Sequence, residues 1–199
     1  MTAGERQHCN CERLFDASIS EKIPASAGRN DHTAAVDANI CAECGATLKP
    51  SATDAAALIA ETPEIYQALF ARVPDGGPAI ASSVDTWPPN AYLWHVVDVL
   101  RFGAERLWML SLDPTAAVIV WDADEIAAAR GYAGLSVAVG LHALDHATTT
   151  WLDAFASTPT DAVAYHPEIG AMTALVMAQR NAHEVTHHTY DIARGLGLR

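Results

Sequence analysis

The sequence predicts an all-α protein, an antiparallel four-helix bundle with a small cysteine-containing module at its N-terminus. Two observations carry this. From Ser51 onward the chain runs in long Ala, Leu and Val stretches at helical spacing, punctuated by Pro and Gly, with no alternating segment that competes convincingly as a strand. Residues 1–50, in contrast, are polar, lack sustained periodicity and hold all four cysteines, Cys9, Cys11, Cys41 and Cys44. The expected division is a cysteine-rich, zinc-ribbon-like module and linker over 1–50 and a helical bundle over 51–199.

The first helix is expected over about 52–71, with Pro63 as a point of bending. A second follows over about 89–112, opened by Pro88-Pro89 and stopped by Asp113-Pro114. A short helix near 124–130 precedes a third long one over about 136–155, and the last runs over about 172–194 until Gly195 and Gly197 end it. Four long helices joined by polar connectors are most simply a bundle. The AVIVW stretch at 117–121 has strand character, but as an isolated strand it would have nothing to pair with.

The 199-residue chain is half apolar, enough for a sizeable core, and its 12 basic against 24 acidic residues give a formal charge of −12. Such a balance repels phosphate backbones and anionic lipid, so neither nucleic acid nor membrane is an expected partner. The start MTAGERQHCNCERLF lacks a charged segment followed by an apolar one, and no uninterrupted apolar run is long enough to span a bilayer. A soluble, cytoplasmic protein is expected, and the paired cysteines then suit metal better than a secreted disulfide framework.

The run NAHEVTHHTYDI, residues 181–192, offers two pairs of metal-ligand type four residues apart, His183 with His187 and Glu184 with His188. The pairs point in different directions, so both cannot serve one ion. Leu175, Ala178, Ala182, Val185, Ile192 and Leu196 form the apolar stripe of this helix. Relative to Val185, His188 lies about 60° and Glu184 about 100° to the same side, while His183 and His187 fall near the opposite face. Glu184 and His188 are therefore the inward pair. A carboxylate on the shoulder of a buried stripe asks for a partner, which a metal or an ordinary ion pair would supply.

A third ligand should come from a facing helix, and His95 in LWHVVDVLRF stands beside the stripe of Tyr92, Val96, Val99 and Leu107. A lone histidine there is more often a hydrogen-bonded core residue. His142 and His146 share the four-residue spacing without an inward carboxylate, which makes them the weaker pair. Trp94, Trp108, Trp121 and Trp151 read as core or pocket wall.

YLWHVVDVLR, WDADE at 121–125 and AHEVTHHTYDI together resemble the DinB-like (YfiT-like) superfamily of metal-binding four-helix bundles, and within it the mycothiol-dependent maleylpyruvate isomerase type. That resemblance implies one histidine from the second helix and two ligands four apart on the last, the first of them a glutamate: His95, Glu184 and His188. It also implies a metal that activates a low-molecular-weight thiol such as mycothiol or bacillithiol for transfer or isomerisation of an electrophilic substrate. CAECG at 41–45 looks like the CPECG element that precedes such bundles in related proteins.

Two imidazoles and a carboxylate suit zinc first, with nickel, iron and manganese also compatible, and three ligands leave positions open for substrate. No catalytic residue beyond the ligands is required, since the thiolate would be the nucleophile. The alternatives are a metal-dependent hydrolase delivering metal hydroxide, and a non-catalytic metal-binding stress or interaction protein. Asp98 and Asp191 are candidate acceptors for the ligand imidazoles, and Arg101 and Arg106 could meet an anionic substrate, though surface roles suit all four as well. In the module, Cys41 and Cys44 have knuckle spacing, and Cys9 and Cys11, with His8 as a substitute, would complete a structural zinc site. A homodimer is compatible with a bundle of this size.

Overall fold

The computed structural model describes residues 39–72, 86–113, 115, 117–167 and 170–198. Helix α1 spans Ala52–Phe70, α2 Pro89–Leu112, α3 Ala123–Arg130, α4 Val137–Ser157 and α5 Ala174–Gly195, with a 3₁₀ turn at Tyr132–Gly134. Local chemistry fixes the starts. The Ser51 hydroxyl accepts from the Asp54 amide, the Asp122 carboxylate from Glu125 N–H, and Ser136 and Thr173 do the same for α4 and α5. Gly131, in the left-handed region at φ 64°, ends α3. α1 continues through Pro63.

The four long helices close into a ring in which α2 packs on α4 and α5, and α1 on the same two. The first two long helices, α1 and α2, and the last two, α4 and α5, therefore sit across the diagonals. Directions follow from the contacts. Gly195, at the end of α5, lies against Pro89 at the start of α2, so these two are antiparallel. α2 and α4 are parallel, because Gly140 lies against Leu93 and Trp94 while the Thr158 hydroxyl donates to the Leu107 carbonyl. α1 and α5 are also parallel: the Gln179 amide reaches the Pro50 carbonyl and the Tyr66 hydroxyl the Val185 carbonyl. Two helices run each way.

Parallel neighbours need a return path, and α2, about 36 Å long at 1.5 Å per residue, sets its length. Residues 113–136 provide it. The Val118 N–H donates to the Tyr165 carbonyl, and Asn90 donates to the carbonyls of Ala133, Tyr132 and Leu135 beside the start of α2. Three departures from the sequence reading gather here. Val163–His166 and Gly170–Thr173 form an antiparallel hairpin, β1 and β2, so α5 begins after Met172. Ala117 makes a parallel bridge to Tyr165, giving the AVIVW segment the partner it lacked in sequence. Four-residue strands with one buried face are too short to show a clear period.

The core is continuous between the helices, with Ile59, Tyr66, Leu93, Val96, Leu100, Leu107, Leu144, Trp151, Val185 and Ile192 fully buried. Residues 39–50, the described part of the expected module, form a tight turn around Cys41 and Leu48, a separate small cluster. Cys9 and Cys11 lie outside the described residues. Among the described residues no helix is long and apolar enough to cross a membrane.

Candidate metal centre

Helix α5 is buried on more than its apolar stripe. Ala178, Ala182, Val185 and Ile192 enter the core as their spacing predicts. His183 and His187, expected near the opposite face, are also buried, at 3% and 4% exposure, because the Cys41–Leu48 turn lies over them. The helical phase is as the sequence implies; what covers the outer face is a segment distant in the chain.

The structure brings His95, Glu184 and His188 together. One ligand atom from each lies within 4.8 Å of the others. Both imidazoles face one carboxylate oxygen: Glu184 Oε2 is 3.6 Å from His95 Nε2 and 3.2 Å from His188 Nε2. On the far edge of the His188 ring, Nδ1 is 3.0 Å from Asp191 Oδ2, and Arg194 Nη2 donates to Asp191 Oδ1 at 3.1 Å. Asp191 thus orients His188 and is itself oriented by Arg194.

Burial works against charge at His188, but the Asp191 and Glu184 carboxylates overcome it and hold its pKa up at about 9. Burial likewise opposes ionisation of Glu184, yet His188 and His95 draw it well below the usual carboxylate range. The site stabilises positive charge, which a proton or a divalent cation can supply. As donors, two imidazoles and a carboxylate fit a borderline divalent ion, and three ligands leave coordination positions open.

Aromatic rings wall the triplet. Trp87 meets the His95 ring edge-on at 5.3 Å, Trp121 lies 5.6 Å from it, and Tyr92 stacks on His188 at 5.0 Å. Phe102 backs Trp121 at 4.9 Å. The return path between α2 and α4 delivers Trp121. Burial, helped by Asp191, pushes the Tyr92 phenol up to about 12, so it stays a neutral donor. Trp87 carries little signal in the sequence beyond its place just before the prolines that open α2, eight residues ahead of His95. Of the other tryptophans, Trp94 and Trp151 are core and Trp108 is 40% exposed.

Asp98 is corrected by the structure. It is buried at 2%, but its carboxylate is taken by the Arg130 guanidinium and the Tyr132 hydroxyl, with Arg101 at 3.6 Å. It clamps the return path to α2. Arg101 is therefore engaged with Asp98, and Arg106 donates to the Ile119 carbonyl. His142 and His146 meet edge-to-face on the exposed face of α4.

A second cluster comprises Cys41, Cys44, His183 and His187. Cys41 Sγ is 3.8 Å from His187 Nδ1, and Cys44 Sγ is 3.8 Å from His183 Nε2. Burial pulls His183 down to about 4 and lowers His187, so both rings are neutral near pH 7; burial raises the Cys44 thiol to about 11.

The sequence pattern of the DinB superfamily matches residues 48–192. The structure of YfiT from Bacillus subtilis superposes with a TM-score of 0.61 at 14% identity, covering 73% of this chain and 87% of that chain. YfiT is described as a probable metal-dependent hydrolase with an unusual four-helix bundle topology. At that identity the likeness is one of fold. No curated protein is similar enough to this chain to lend it an activity. Since the family pattern spans well over half of the residues and the helices form the same bundle as YfiT, the chain belongs to the DinB superfamily.

Proposed function

We propose that the protein is a metal-dependent enzyme in which His95, Glu184 and His188 hold a divalent ion, zinc first, at a site open to a low-molecular-weight thiol of the mycothiol or bacillithiol kind. The reaction is S-transfer to, or isomerisation of, an electrophilic substrate. Bound there, a divalent cation lowers the pKa of a thiol or water and so supplies a nucleophile near neutral pH. The chain's own residues do the rest. Asp191 keeps His188 in one orientation, Glu184 faces both imidazoles, and Trp87, Tyr92 and Trp121 hold apolar substrate and exclude water.

The observation that carries this reading is the convergence of two imidazoles on one carboxylate oxygen inside an aromatic wall. Aromatic faces suit an apolar carbon electrophile, and a thiol whose pKa a bound cation lowers would lose its proton to solvent before attack. The second reading, a hydrolase using the same triplet, is favoured by the description of YfiT, which shares the fold.

One assay separates them. The metal-loaded protein is incubated with an epoxide or chlorinated test compound, with and without mycothiol or bacillithiol, and in parallel with ester and amide substrates and no thiol. Conjugate formation dependent on thiol supports transfer; turnover of esters or amides without thiol replaces it with hydrolysis. In either case His188→Ala and Glu184→Ala are expected to remove about one equivalent of metal per chain. Full metal retention in both variants refutes the triplet.

A further inference from the structure

We infer that Cys41, Cys44, His183 and His187 form a second, closed zinc site that fastens the N-terminal cysteine turn to the outer face of α5. Four donors of the soft and borderline kind, two thiols and two imidazoles, meet there from segments more than a hundred residues apart, with one atom of each within 4.8 Å of the rest. That donor set is one of the usual structural zinc sets. With Zn–S near 2.3 Å and Zn–N near 2.0–2.1 Å, a tetrahedron puts sulfur and nitrogen about 3.6 Å apart. Both observed S···N separations are 3.8 Å.

The backbone on each side is shaped for ligation. Gly45 adopts φ 74°, its N–H donates to the Cys41 carbonyl at 2.9 Å, and the Cys41 N–H donates to Ala46 at 2.8 Å, a tight turn that turns both thiols the same way. On α5 the four-residue spacing places His183 and His187 one turn apart on one face. The remaining nitrogen of His187, Nε2, is 3.4 Å from Glu43 Oε2 and 3.5 Å from Asp191 Oδ2, as expected of a ligand imidazole oriented by carboxylates.

Packing alone gives the turn little hold. Its own apolar cluster is Cys41 and Leu48 with Cys44 beside them, yet Cys41 is 2% exposed. Segments this small ordinarily need a metal or disulfide to stay folded. Thiolates balance the zinc charge, so the site can be buried without a net ion. Its four ligands are complete within these two segments, leaving Cys9 and Cys11 outside the set.

The two sites stand back to back on one helix. His187 and His188 are consecutive, and Asp191 Oδ2 approaches both, at 3.5 Å and 3.0 Å. A closed site at His187 therefore anchors the turn of α5 from which His188 faces the open one.

The test uses the full chain purified with zinc. Zinc content and zinc X-ray absorption are measured on a Glu184→Ala/His188→Ala variant, which isolates the closed site. One zinc with two sulfur and two nitrogen donors is expected, and cobalt in its place should give thiolate charge-transfer bands with a tetrahedral spectrum. His183→Ala/His187→Ala should lose that zinc; Cys9→Ser/Cys11→Ser should keep it. His183→Cys, which retains a donor if the alanine pair fails to fold, should hold zinc with three sulfurs. A four-sulfur shell, loss of the zinc in the Cys9/Cys11 variant, a shell without sulfur, or a Cys41–Cys44 disulfide in the purified chain overturns the inference. None of these outcomes bears on His95, Glu184 and His188, whose failure would show as a missing ion in the chain whose closed site is intact.

Discussion

Two aspartates one turn from a histidine ligand candidate look equivalent in sequence and have different work in the structure. Asp191 touches His188 at 3.0 Å and His187 at 3.5 Å and is braced by Arg194. Replacing it by Asn removes the charge that orients and polarises the imidazole while keeping the shape. Such partners typically contribute 10–100-fold in metal affinity, so Asp191→Asn should weaken the bundle metal by roughly that factor, read by competition with a chromogenic chelator. Unchanged affinity would mean that Asp191, though buried against His188, does not tune that imidazole as a ligand. Asp98, in contrast, holds Arg130 and Tyr132. Asp98→Ala strands the buried Tyr132 hydroxyl and releases a half-exposed guanidinium, at a cost of about 2 kcal/mol. A urea titration should show that loss while metal content stays unchanged; loss of the metal instead would return Asp98 to the role its spacing from His95 suggested.

At the scale of the element, α2 carries the tightest constraint. A Cβ on Gly103 would lie 2.5 Å from Asn181 Oδ1 and 2.8 Å from Trp151 Nε1, the two atoms of a buried 2.9 Å hydrogen bond joining α4 to α5. Gly103→Ala gains about 1 kcal/mol in helix propensity. It loses more, because overpacking costs about 1–3 kcal/mol and the displaced hydrogen bond about 1–3 more. A net loss of about 2 kcal/mol is expected, seen as a lower urea midpoint with the slope unchanged. The long helices were legible because each repeats its apolar spacing over many turns and carries a Ser, Thr or Pro at its start. The hairpin was not, since pairing with Ala117 and the start of α5 defines it more than its own period. That Glu184 and His188 share one side of α5 could be read from helical phase. The burial of His183 and His187 could not, because phase tells which way a side chain points and not what will come to cover it.

Topology links these parts across the whole molecule. Because α2 and α4 are parallel neighbours, the chain must travel back along the bundle between them, and that return brings Trp121 beside His95. The aromatic wall is thus a product of connectivity, with Asp98, Arg130 and Tyr132 pinning the path in place. His95 lies near the start of α2 and His188 in the second half of α5, so only antiparallel packing of these two helices puts them at one level. Metal at this level joins α2 to α5, and it should therefore stabilise the bundle as a ligand of the native state. At a free metal concentration a hundredfold above Kd, that contribution is about 2.7 kcal/mol. For a domain of this size each kcal/mol moves the melting midpoint by roughly 2–4 °C. Stripping the protein with chelator should lower its midpoint by about 5–10 °C through the bundle site. The Glu184→Ala/His188→Ala variant, which cannot bind there, should show that much less of a drop under the same treatment. Equal drops in the two proteins would mean that the stabilising ion sits elsewhere on the chain and that α2 and α5 are held by packing alone.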